Sequence, residues 1–454
     1  MNRRTAGGFA VLTLIVASGC GKRLNMEQHY GQMRANLVNG DYAAADEYVE
    51  KQKQTFYGKD NCVLYYMNRG MILHLGGQYE KSNNYLDKAE NAAQELWTES
   101  VRDIGETFLA TDNSAPYQGE DFEKVALNIM SALNYVAMGK YEAAQVEARQ
   151  VTNQLELFAQ TYADVNEDAV TNYRDDAFAR WLSGKMRSLE GSYEAHNEAW
   201  IEYKKALKLY ERDYAQRYQV GVPAFVVRDA LHSLEKLGRD FEEEFRQVRG
   251  RYARVNYASM PAGAGEVVVI HLNGEAPYKV DRYWDALAAN EPFRVAYPEF
   301  VAKVPQIIGA RVSASSGVRG RTEIGEPWTA IAIMNLRDHM ASIKAKAIAR
   351  AVVKFVAAKA ARKAGEEREG GQGAALALLG AAFQAYNYIQ EEADKRSWVT
   401  LPATINVAKL AVPAGATTLD LEFVNRSGTV IERKQVDVNV QAGQTSFVLH
   451  RTYR

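Results

Sequence analysis

The chain has 454 residues, a length for two to four domains, and 47% of them are apolar, enough to bury sizeable cores. Lys plus Arg number 55 against 56 for Asp plus Glu, so the basic excess that a dedicated nucleic-acid binder exchanges for counterions is absent. Two cysteines, Cys20 and Cys62, exclude a disulfide framework and any cysteine-based zinc cluster.

The first tract is a targeting segment. Arg3 and Arg4 precede an apolar run, Gly7 to Ala17, that is too short to span a bilayer as a helix. Ser18, Gly19 and then Cys20 resemble the lipobox of bacterial lipoproteins, with Ala17 standing where Leu is commonest. The resemblance implies cleavage after residue 19, a diacylglycerol on the Cys20 thiol and an acyl chain on its new amino group. Gly21, rather than Asp, after the cysteine implies sorting to the outer membrane. An ordinary cleaved signal peptide and a retained anchor are the other readings of the same tract.

Residues 20–258 form the next unit, expected to be helical nearly throughout. Gly40, Gly77, Gly139 and Gly191 each open the pattern Gly, any residue, Tyr, then small or apolar residues at helical spacing. This resembles the second half of a tetratricopeptide repeat, in which Gly makes the turn between two antiparallel helices and small residues let them approach closely. The resemblance assigns packing roles to Gly70, Gly77, Tyr79 and Ala89 in the second unit. It assigns them to Ala132, Gly139, Tyr141 and Ala144 in the third, and to Gly184, Gly191 and Tyr193 in the fourth. Arg187 stands where that unit should carry a large apolar residue. The glycine intervals exceed the roughly 34 residues of a regular array. The solenoid is therefore interrupted, chiefly over 96–124 and again over 163–176. A further helical stretch, about 222–251, closes the unit.

Residues 259–454 change texture. Pro261, Gly263 and Gly265 break the helix and "EVVVIHL" from Glu266 is a β-branched run. Further strands are expected from Phe293, Ile307, Thr404, Thr417, Val430 and Thr445, with turns at Pro413 and Ser427. Seven short strands predict a β-sandwich-like domain. Between its strands a helical hairpin is inserted at about 329–396, broken by "GGQG" at Gly370. The fold class is thus α+β: an all-α tetratricopeptide-like solenoid with insertions, then a β-sandwich-like domain carrying a helical hairpin.

The order of features, with "YQGEDFEKVALNIMSALNYVAMGKYEAAQVEARQ" at Tyr117, "EVVVIHLNGEAPYKV" at Glu266 and "RSWVTLPATINVAKLAVPAG" at Arg396, resembles a family of bacterial lipoproteins with such helices and a β-containing C-terminal half. That family brings no biochemical activity with it.

The chain carries no Gly-Lys-Ser/Thr phosphate loop, no Gly-x-Ser-x-Gly elbow and no His-Glu-x-x-His. Asp164, Asn166, Asp168 and Asp175 alternate like calcium-loop ligands. However, Ala169 sits at the turn that needs Gly, so a solvated loop that caps the next helix is the better reading. His74 and His196 read as packed or surface histidines, Cys62 as a small buried residue, and Glu120, Asp121, Glu123, Glu142 and Glu147 as exposed helix faces. Lys346, Arg350 and Lys354 form a like-charged row, either a solvated face or a contact to anionic lipid or an acidic partner. The apolar "AALALLGAAFQAY" after Gly373 is too short for a transmembrane helix and reads as a core helix, with a subunit contact or membrane dipping as the alternatives.

No catalytic residue, metal ligand or cofactor is assigned. The expectation is a periplasmic lipoprotein anchored to the outer membrane through Cys20. It would act as a non-enzymatic scaffold that binds a protein or peptide on its repeat surface, with no nucleic acid. The rivals are a structural subunit of an envelope-spanning assembly and an envelope glycan-active enzyme using Glu120, Asp121 and Glu123.

Overall fold

The computed structural model describes residues 26–102, 115–165, 172–288, 291–366 and 392–454. Cys20 and the leader, the middle of the 96–124 insertion, Asn166 and Asp168, and the second helix of the expected hairpin lie outside the described residues.

Helical hairpins follow one another from the start. They are α1 (Met26–Val38) with α2 (Tyr42–Lys51), α3 (Cys62–Leu75) with α4 (Tyr79–Arg102), α5 (Asp121–Ala137) with α6 (Tyr141–Val165), and α7 (Ala177–Ser188) with α8 (Tyr193–Leu209). Then come α9 (Ala224–Leu237) and α10 (Glu242–Arg251), and each helix packs on the next along the row. The four turn glycines all have positive φ, between 70° and 79°. In the first three turns the residue after the glycine donates its N–H five residues back, Asp41 to Asn36, Gln78 to Leu73 and Lys140 to Tyr135. That contact satisfies a carbonyl the helix end leaves open, and only glycine takes the left-handed conformation it needs without strain. Side-chain caps start several second helices: Asp41 accepts from Ala44 N and Ser192 from Ala195 N.

The strands form two facing sheets. One has the order β10 (Thr445–Thr452), β1 (Ala264–Asn273), β7 (Thr404–Pro413), β6 (Glu323–Glu326). The other has β5 (Arg319–Arg321), β4 (Gly309–Ala314), β8 (Gly415–Val424), β9 (Val430–Val440). β1 pairs in parallel with β10 and antiparallel with β7. Val267, Val269, Ala408 and Leu410 of the first sheet meet Val312, Leu419, Leu421 and Phe423 of the second, which makes the sandwich. The other face of the first sheet, with Val268, Ile270, Ile405 and Val407, joins the helical core beside Phe178, Trp181 and Phe225. β1 is therefore buried along its whole length, which is why its sequence is a continuous apolar run and not an alternation. The molecule is three layers deep: helices, sheet, sheet. The α+β class, helical half first and sandwich second, is the architecture observed.

Three strands have no counterpart among the expected ones: β5, β6 and β2 (Tyr278–Ala288), whose charges interrupt any apolar pattern. Among the described residues β2 pairs with β3 (Glu291–Val301) alone, as a separate two-stranded ribbon. α11 (Trp328–Glu366) enters between β6 and β7 as one helix of 39 residues, about 58 Å long at 1.5 Å per residue. Its first half is core, through Trp328, Ile331, Ala332 and Leu336. Farther on, Ala347 packs on Val295 of the ribbon. Val352, Val353 and Val356 are exposed beyond that.

Candidate functional site

The repeat-packing residues fall where two helices of a hairpin press together. A Cβ on Gly70 of α3 would lie 2.6 Å from Leu86 Cδ2 of α4, and one on Gly184 of α7 would lie 2.8 Å from Tyr203 Cε1 of α8. Ala89, Ala132 and Ala144 are fully buried. Tyr79 stacks edge-on to His74, and Tyr141 meets Phe447 of β10. Tyr193 is 44% exposed and donates from its hydroxyl to Asp240 at 3.1 Å. Arg187, in the apolar position, reaches Glu198 across the hairpin at 2.8 Å.

The first helices α5, α7 and α9 turn toward the sheet and α11, and α3 turns toward the segment leading into β7, where Thr400 Oγ1 donates to Asn68 Oδ1 at 3.1 Å. α5 is the extreme case, buried from Asp121 through Asn134. In a free solenoid such a face is the one open to a ligand; here β10, β7, β6 and α11 lie against it. Gly325 of β6 permits the contact, since a Cβ there would lie 2.8 Å from Phe178. The hairpin surface left to solvent is that of the second helices, where Val146 and Leu157 of α6 and Ile201 of α8 are exposed.

A charge network fixes helices to sheet. Lys185 of α7 and Lys409 of β7 both contact Glu266 of β1 and Asp229 of α9, with Lys409 to Glu266 at 2.6 Å and Lys185 to Asp229 at 3.7 Å. Trp181 Nε1 donates to Asp229 at 2.8 Å and Thr445 to Glu266 at 3.1 Å. Burial alone would raise the Glu266 carboxyl; the two ammonium groups outweigh it and hold the carboxyl well below its ordinary range. Beside the network lies a cavity of 570 Å³, lined by His196, Arg228, His232, Lys236 and Tyr257 among others. His196 is lowered to about 4 and His232 is lowered too, by burial first and then by neighbouring charges. No protein-family model matches the chain, and no curated protein matches it.

The acidic tract at the start of α5 differs from expectation. Asp121 and Glu123 are buried and not on an exposed face, because α5 is covered by α4, α6 and α11. Glu123 is raised to about 7 by burial and by Glu120. It accepts from Tyr117 Oη and Trp398 N, both at 2.6 Å, and from Glu120 N at 3.0 Å. Glu120 contacts Lys279, and Asp121 lies 3.6 Å from Lys124 and 3.2 Å from His339. Each carboxylate is thus committed to a fold contact. Of the calcium-like series, Asp175 pairs with Arg180 at 2.9 Å, and the next residue, Asp176, caps α7 through Ala179 N at 2.7 Å. Among the described residues no three acidic, His or Cys side chains are grouped to hold a metal ion, and no helix is long and apolar enough to cross a membrane. His74 and His196 are both buried, bonded to Asn134 at 2.6 Å and Ser233 at 3.2 Å. Cys62 is half-buried, and burial pushes its thiol up. Of the like-charged row on α11, Lys346 is exposed and the side chains of Arg350 and Lys354 lie outside the described set. Sequence reading missed Lys185, Glu266 and Lys409, because they sit 81 or more residues apart in pairs that only the folded sheet brings together.

Proposed function

We propose that the chain is an exported lipoprotein, tethered through acylated Cys20 to the periplasmic face of the outer membrane, that serves as a non-enzymatic scaffold for a protein or peptide. The observation that carries the reading is the row of phased hairpins, a surface type that presents many side chains on rigid helices. Its first-helix face is taken up by the chain's own sandwich. The docking surface is accordingly the second-helix face around Val146, Leu157 and Ile201. Three acyl chains would hold such a protein stably where one would not.

The test is affinity capture from detergent-solubilised envelopes with the full chain, beside Val146→Asp and Ile201→Asp forms. The reading expects a reproducible partner that both substitutions lose while the fold survives. Capture of no reproducible partner, or capture indifferent to both changes, counts against it. A structural-subunit reading draws on one observation, the exposed Val352, Val353 and Val356 of α11. It expects a Cys20→Ser form to self-associate on sizing.

A further inference from the structure

Between α4, α5 and α6 lies a cavity of 400 Å³. Its polar wall draws on all three helices. Glu90 of α4 and Glu147 of α6 flank Asn128 of α5, whose amide nitrogen donates to both carboxylates at 3.2 Å. Gln154, farther along α6, donates to Glu90 at 2.6 Å. Trp97, Leu157 and Phe158 supply apolar wall, and Val146, 57% exposed, stands in the lining.

The polar wall is incomplete in one particular way. Burial raises both carboxyls, Glu147 to about 7, and the charges acting on Glu147 are Glu90 and Asp87, which raise it further. Among the described residues neither is paired with a cation: the lining's Lys124 lies 3.6 Å from Asp121 and 5.0 Å over the Phe158 ring. Asn128 is 1% exposed, yet its Oδ1 has no hydrogen-bond partner, and neither has Gln154 Oε1. A buried acceptor left unpaired costs about 1–3 kcal/mol. Flipping the Asn128 amide brings no relief, since its carbonyl would then face two carboxylates. Every open atom on this wall is therefore an acceptor, which suits a cation rich in donors. Among the described residues no third acidic, Cys or His side chain is grouped with the pair closely enough to hold a metal ion.

We propose that this cavity binds a primary alkylammonium group. Its three N–H donors go to Glu90, Glu147 and Asn128 Oδ1, and its methylenes lie along Trp97, Leu157 and Phe158. The site rests on its own lining, whether or not the hairpin surface also docks a protein. The same chemistry is offered by a free diamine and by a lysine side chain on a peptide.

Calorimetry on the purified full chain at pH 8 separates these. The probes are 1,5-diaminopentane, acetyl-Gly-Lys-Gly-amide, its norleucine counterpart and 1,5-pentanediol. Saturable binding is expected for the diamine, the lysine peptide or both, and for neither neutral probe. Diamine binding alone identifies a free amine as ligand, and peptide binding identifies a lysine side chain. Glu90→Gln and Glu147→Gln are each expected to weaken binding about tenfold or more. Val146→Trp, which narrows the mouth without touching a carboxylate, should weaken it while leaving the melting curve unchanged. Binding should also fall from pH 8 to pH 6 as protons compete for Glu147. Absence of saturable binding by both amines, equal binding of pentanediol, or undiminished binding in the Glu90→Gln/Glu147→Gln double variant would overturn the assignment.

Discussion

Glu326 is fully buried at the end of β6, with Oε2 accepting from Tyr214 Oη at 3.0 Å and Oε1 unpartnered. Burial, and then the Asp176 carboxylate, raise its pKa well above the ordinary range. The folded chain thus keeps a proton that the unfolded chain releases near pH 4.3. Stability from this group is present at low pH and is lost as pH climbs from the unfolded value toward the folded one. Glutamine has no such loss. Glu326→Gln should therefore gain on the parent chain as pH rises from 5 to 8, by at most about 1.4 kcal/mol per pH unit. Urea denaturation at both pH values reads this, and a stability of the Gln form minus that of the parent that falls as pH rises would refute the assignment. Nothing in "TEIGEPW" announces a protonated carboxyl, because its burial is supplied by helices more than a hundred residues away. Gly70 and Gly184, by contrast, were legible in sequence: their contacts run to the paired helix of the same hairpin, so the spacing that reveals the helices also reveals the contact.

At the level of elements, the hairpins and seven of the strands follow from local pattern. The missed strands show the limit of that pattern. β6 is four residues long and kinked by a register shift against β7, and β2 is a polar ribbon strand that pairs with β3. The joints between elements lie beyond it too. Lys185, Asp229, Glu266 and Lys409 alternate in sign at the meeting of α7, α9, β1 and β7, with side chains 11% exposed or less. Removing one member leaves the two of opposite sign to share a single partner in a buried place. Glu266→Gln should cost about 3–5 kcal/mol in urea denaturation at pH 7. Because the partners hold this carboxyl below its ordinary range, the difference should shrink as pH falls below about 4, where the unfolded parent chain takes up a proton that the folded one does not. A cost under 1 kcal/mol at pH 7 would mean that the network is ornamental to stability. The ammonium pocket was equally hidden in sequence. Glu90, Asn128 and Glu147 come from three helices, and each alone reads as an ordinary polar position.

Across the whole molecule the helical row and the sandwich share a core, since Val268 and Ile270 of β1 belong with Phe178, Trp181 and Leu231. Sequence texture marks a change near residue 260 but not that the second part roofs the first. The middle sheet is completed by β10, which pairs with β1 from Glu266↔Thr445 to Asn273↔Thr452. A chain ending at Gln444 should keep its far-UV helical signal, which arises from local hairpins. Its helices should nonetheless be cut by trypsin at least about tenfold faster, since opening tracks the free energy lost. Unchanged resistance would mean the helices need no roof. That pairing also sets a timetable. Hairpins can form as soon as their own residues are available, but the sheet that covers them waits for a strand made some 180 positions after its neighbour, a late and long-range closure. Until then the row of first helices presents an oily face to its surroundings. A chain that crosses a membrane before folding would spend that interval in need of a holding chaperone.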